Sequence, residues 1–125
     1  MSTKLTVPDN PTPAQLQYLL SVCSNEMARL GDIVAGYKQD SATKAIRLKR
    51  AQARATVKYK GQGNVDYIKA LVEIDEDVIA AVDLLDYAEG VYILAKAELD
   101  GYDAQFVALR KIAEIRKQEM RSLNG

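Results

Sequence analysis

Broken every seven residues, positions 78–120 read VIAAVDL LDYAEGV YILAKAE LDGYDAQ FVALRKI AEIRKQE M. The first column is Val78, Leu85, Tyr92, Leu99, Phe106, Ala113 and Met120, and the fourth is Ala81, Ala88, Ala95, Tyr102 and Leu109. Apolar residues in those two columns over five heptads are the a/d pattern of a helix that packs along a seam. No proline follows Val65. Gly101 falls on an outward position, where a helix tolerates it at about 1 kcal/mol. The pattern predicts one long helix over about 75–121, bent at most near 100–103. Asp75 is its N-cap, and Glu76 and Asp77 lie in the first turn, where the helix dipole favours anions.

Three successive alanines at d make a thin seam that lets a second helix approach closely. A helix of about 45 residues is roughly 65–70 Å long, more than a small globule can cover. Part of the seam is therefore expected to stay uncovered in a lone subunit. Self-association through Val78, Leu85, Tyr92, Leu99 and Phe106 would bury it.

Upstream, the signals are also helical. Thr12, Pro13 and Gln15 form a capping box with proline at the first helical position. Leu16, Leu19, Leu20, Cys23, Met27, Leu30, Val34 and Tyr37 recur at helical spacing. A helix over 13–38 is expected, followed by a second over 42–60 capped by Asp40 or Ser41. Gly61-Gln-Gly-Asn64 stops that second helix, and a short one spans 65–72. Residues 1–11, with Pro8, Asp9, Asn10 and Pro11, read as a flexible tail. The expectation is an all-α subunit in which residues 12–125 form a single helical domain that assembles as a homo-oligomer.

Composition narrows the chemistry. The 125 residues include no His and one Cys, so Ser-His or Cys-His nucleophile pairs, His-ligated metals, CxxC sites and an internal disulfide have no material. A binding protein is expected rather than an enzyme, with no metal and no cofactor. The Gly61–Gly63 loop lacks a preceding strand and the residues of a phosphate cradle. Glu73, Asp75, Glu76 and Asp77 lack the spacing of a calcium loop. Cys23 lies on an apolar face and reads as a small buried hydrophobe. No stretch is long enough to span a bilayer and the N-terminus has no signal-peptide core, so a cytoplasmic protein is expected.

The formal net charge is zero, but it is segregated. Residues 38–60 carry eight cations and one acid, and residues 61–103 carry eleven acids and two lysines. On a helical wheel, Lys44, Arg47, Arg50, Arg54 and Lys58 fall within about 120°, beside an arc of Ala45, Leu48, Gln52, Ala55 and Tyr59 that should face the core. Lys49 and Lys60 fall off the stripe. Such a stripe repels itself unless a polyanion or acidic partner neutralises it; the competing reading is a solvated face paired with the chain's own acids. The alanine-rich opposite face lacks bulky membrane anchors.

Cations without Asn or Gln base readers suggest phosphate contact. Five such contacts on a single strand give a log–log salt slope of about −3 to −4 per protomer. Tyr59, between Lys58 and Lys60, is either a base-stacking ring or a core or interface tyrosine. Several weak stripes on one strand gain affinity through effective concentration, so self-association and polyanion binding support each other.

Ile46-Arg47-Leu48, Ala51-Gln52, Lys58-x-Lys60, the Gly-x-Gly loop, Asp75-x-Asp77-Val78, Leu85, Tyr87 and Ala97-x-Leu99 resemble the UvsY-like recombination mediators of T-even phages, over about 46–121. The resemblance implies a helical subunit assembled into a ring. It implies single-stranded DNA binding, displacement of single-strand-binding protein and loading of a RecA-like recombinase in the host cytoplasm. The family's basic-x-basic pair for DNA falls on Lys58 and Lys60. The acidic helix has no Trp, unlike the family pattern, and residues 1–40 carry no resemblance. The competing reading is a structural or assembly adaptor whose basic helix meets an acidic protein. A third, a small transcription factor, would prefer a duplex sequence.

Overall fold

The computed structural model describes residues 5–124, and among them there are three helices and no strand. Helix α1 is Pro13–Lys58, α2 is Val65–Glu73 and α3 is Glu76–Asn124. The all-α class and the long C-terminal helix are as expected. α3 passes Gly101 without interruption.

The capping box at the start of α1 is made. The Gln15 backbone N–H donates to Thr12 Oγ1 at 3.1 Å, and the Thr12 N–H donates to Gln15 Oε1 at 2.9 Å. The break expected at 39–41 is absent. Residues able to cap a new helix bond along the existing one instead. Ser41 Oγ donates to the Lys38 carbonyl at 3.0 Å, and Thr43 Oγ1 to that of Gln39 at 3.1 Å. Asp40 pairs with Lys44 one turn on, at 3.7 Å. The helix ends at Lys58, two residues before the expected stop, and Gly61 turns the chain with φ +83°, which favours glycine. Asn64 Oδ1 then caps α2 by accepting from the Tyr67 N–H.

The chain packs as two compact units. One joins the chain through Val34 to the chain from Ala95 onward; the other is Ala35–Leu94. The first has a core of Leu16, Leu19, Cys23, Leu30, Tyr102 and Leu109, with Leu99 and Phe106 packed against it. Burial pushes the Cys23 thiol's pKa up, in keeping with its reading as a core hydrophobe. Residues 1–4 of the expected flexible tail lie outside the described residues. Residues 5–11 instead lie in this unit. The Leu5 backbone exchanges two hydrogen bonds with the Gln105 amide, Arg116 donates to Asn10 Oδ1, and Pro11 is buried.

The second unit is built on small residues. Ala51 and Ala55 of α1 cluster with Val78 and Ala81 of α3, flanked by Leu48, Tyr59, Val72 and Val82. Alanine at these positions permits the close helix approach that the seam requires.

The seam is covered over most of its length within the subunit, and Met120 at its end stays exposed. All five d residues, Ala81, Ala88, Ala95, Tyr102 and Leu109, are buried within the subunit. Of the residues assigned to self-association, Val78 is in the second core, Leu99 and Phe106 pack on the first, and Leu85 and Tyr92 are half-buried. The physical reason is the length of α1. An unbroken helix of 46 residues supplies apolar partners in both units, where two shorter helices were expected.

Candidate nucleic-acid interface

Residues 44–60 carry seven cations and no acid. The helix turns Ala51 and Ala55 fully inward, with Leu48 and Tyr59 beside them. Gln52, expected on that arc, is exposed, and Ala51 takes the buried place. That rotation fixes where the cations go.

Arg47, Arg50 and Arg54 are exposed at spacings of three and four residues, so they follow one side of the helix. Among the described residues, none of the three has a carboxylate within 4.0 Å. Lys44 sits at the edge of the row, half-buried, with its ammonium 3.7 Å from Asp40.

The other end of the row is built differently. Asp75 is the N-cap of α3, accepting from the backbone N–H of Asp77 at 3.0 Å and of Val78 at 3.3 Å through Oδ1. Its Oδ2 accepts from the Tyr59 hydroxyl at 2.8 Å and from Lys58 Nζ at 3.3 Å. The carboxylate side chain is 4% exposed, whereas Lys58 remains 65% exposed. Lys58 also lies over the Tyr59 ring, 5.2 Å from its centroid.

Four donors converge on one buried carboxylate. The Tyr59 hydroxyl, then Lys58 and the two backbone amides, hold the Asp75 pKa below the usual carboxylate range. The same carboxylate and the neighbouring phenol raise the Lys58 pKa.

The sequence-derived site residues therefore separate. The structure brings Arg47, Arg50 and Arg54 together as an open row. It ties Lys58 to Asp75. It uses Tyr59 in the second core with its hydroxyl committed to Asp75, which is the core reading of that tyrosine. It puts Lys60 in the turn beyond the helix end, exposed. Sequence spacing reads Asp75 as a cap and does not show its hold on Lys58 and Tyr59. Nothing in a separation of 16 or 17 residues signals that contact.

Because the folded-state pKa of Asp75 is depressed, its contribution to stability is present above the unfolded value, about 3.9. It is lost as pH falls through the lower folded value. Asp75→Asn should lower the urea midpoint at pH 7, and its gap to the wild type should narrow between pH 4 and pH 2. Equal gaps at pH 7 and pH 2 would contradict an ionised, hydrogen-bonded Asp75.

No helix is long and apolar enough to cross a membrane among the described residues. No family model, curated protein or solved structure matches the chain.

Proposed function

We propose that the chain is a self-associating, single-stranded-DNA-binding recombination mediator, which helps displace a single-strand-binding protein and load a RecA-like recombinase. The observation that carries the binding step is the open row Arg47, Arg50 and Arg54. Three guanidinium groups on a rigid helix, without carboxylate partners, suit the phosphates of a flexible strand. They have no Asn or Gln among them to read bases, so the contact is independent of sequence. The mediator step rests on the resemblance of residues 46–121 to the UvsY-like proteins. Displacement follows from competition: each phosphate held by the arginine row is withdrawn from the resident binding protein.

A fluorescence titration with labelled oligo-dT at several salt concentrations tests the reading. Three phosphate contacts give a log–log slope of about −2 per protomer on a single strand. Binding that ignores salt, or no binding, leaves the adaptor reading, in which an acidic protein meets the same face. Preference for a duplex sequence would point to a transcription factor. The mediator step is tested by following release of a labelled single-strand-binding protein from oligo-dT when this chain and a RecA-like recombinase are added together.

A further inference from the structure

The buried seam leaves a second apolar row on α3, one face over. Ala80, Leu84, Tyr87, Val91 and Leu94 are spaced four, three, four and three residues apart, which is again an a/d register. Among the described residues, nothing covers this row well. Tyr87 is 76% exposed and Leu94 73%, while Leu84 is exposed and Val91 half-buried. Large apolar side chains aligned at heptad spacing are a packing surface, unlike scattered surface hydrophobes.

α1 carries a row with the same spacing in the same unit. Ile46, Arg50, Ala53 and Val57 follow at four, three and four residues, all exposed, with Val57 at 74%. It shares Arg50 with the arginine row, whose Arg47 and Arg54 lie along one flank, with Lys49 along the other. The charges bordering the two rows are opposite. From Glu76 to Leu94 there are five acids and no cation, and from Lys44 to Lys60 seven cations and no acid. Within the subunit, Lys58–Asp75 is the one ion pair that joins these two segments among the described residues. The remaining charge on each is left for something outside.

We infer that the occupant of the α3 row is a second copy of this chain, docking its Ile46–Val57 row head to tail. Matching register sets Ile46, Ala53 and Val57 against Ala80, Tyr87 and Val91, with the cationic segment of one copy running along the acidic segment of the other. Like faces would set acid against acid, or cation against cation, and repel. The interface is heterologous, so each copy keeps one face of each kind and the association closes into a ring or continues. Arg47 and Arg54 lie along the flank of the docking row, exposed, and stay available to a strand. This assignment rests on the self-association part of the proposed function; it takes Arg50 from the arginine row into the interface and leaves the DNA-binding part to Arg47 and Arg54.

The test is sedimentation of the full chain without DNA. Tyr87→Lys with Leu94→Lys disables one face, and Ile46→Glu with Val57→Glu disables the other. All four positions are exposed, and retained far-UV helicity checks folding. Each variant alone should sediment as a single chain of 13.8 kDa. Mixed in equal amounts they should form a two-chain species and go no further, because one complementary pair of faces survives. Val107→Lys, exposed and away from both rows, should leave the wild-type mass unchanged. If the wild type associates and either variant keeps its mass, or if the mixture stays single-chain, this assignment falls while self-association stands. If the wild type is itself a single chain, both fall.

Discussion

Replacing Arg47 and Arg54 together with alanine is expected to weaken oligo-dT binding on the order of a hundredfold. Each guanidinium–phosphate contact is worth about 1.5 kcal/mol, and about 1.4 kcal/mol is a factor of ten in affinity. The salt slope should flatten by about 1.4, since each phosphate contact on a single strand accounts for about 0.7. Both residues are exposed and unpaired among the described residues, so neither packing nor an ion pair is lost. Alanine also keeps the helix. The thermal midpoint should therefore stay close to that of the wild type. Arg29→Ala is the control, because Arg29 is already bonded to Glu26 at 2.7 Å; it should leave both affinity and slope alone. An unchanged slope in the double variant would remove the arginine row from the binding surface. Lys58 is a poorer probe. Its removal also takes a donor from the buried carboxylate of Asp75, so lost binding could not be separated from lost packing.

The largest effect on stability is expected from Leu109→Ala. Leu109 is 2% exposed and belongs to the core of Leu16, Leu19, Cys23, Leu30 and Tyr102. Truncating a leucine in such a place loses its transfer energy and leaves a cavity, at a cost of about 3 kcal/mol. Against a total of roughly 5–15 kcal/mol for a domain, that should shift the urea midpoint strongly at nearly constant slope. Leu84→Ala on the exposed row should cost about 0.5 kcal/mol or less in a dissociated subunit. A small effect at Leu109 would mean that this end of the seam is not packed as described.

Much of the fold could be read from residue order because its signals are local. The heptad columns of 78–120, the Thr12–Gln15 box, the Gly61 stop and the Asp75 cap each depend on neighbours within a few positions. The continuity of α1 did not yield to such reading. Asp40 and Ser41 suit a cap and a back-bonded helix turn alike. The choice falls to the flanks, where Leu30 and Ala51, on either side, are both buried in tertiary cores. The candidate site divides on the same line. The row Arg47, Arg50 and Arg54 follows from helical period alone. The capture of Lys58 and Tyr59 by Asp75 requires α1 and α3 to meet, and no spacing along the chain encodes it.

The two units differ in how their residues are distributed along the chain. Ala35–Leu94 is one contiguous segment, whereas the other unit joins stretches as far apart as Leu5 and Gln105. Closing a short loop costs less conformational entropy than closing a long one. Assembly can thus begin around the Gly61 turn and zip outward to both termini. On the ribosome, Leu16, Leu19, Cys23 and Leu30 must wait uncovered until Tyr102 and Leu109 have emerged, which makes the earliest-made apolar face the last to find its partner.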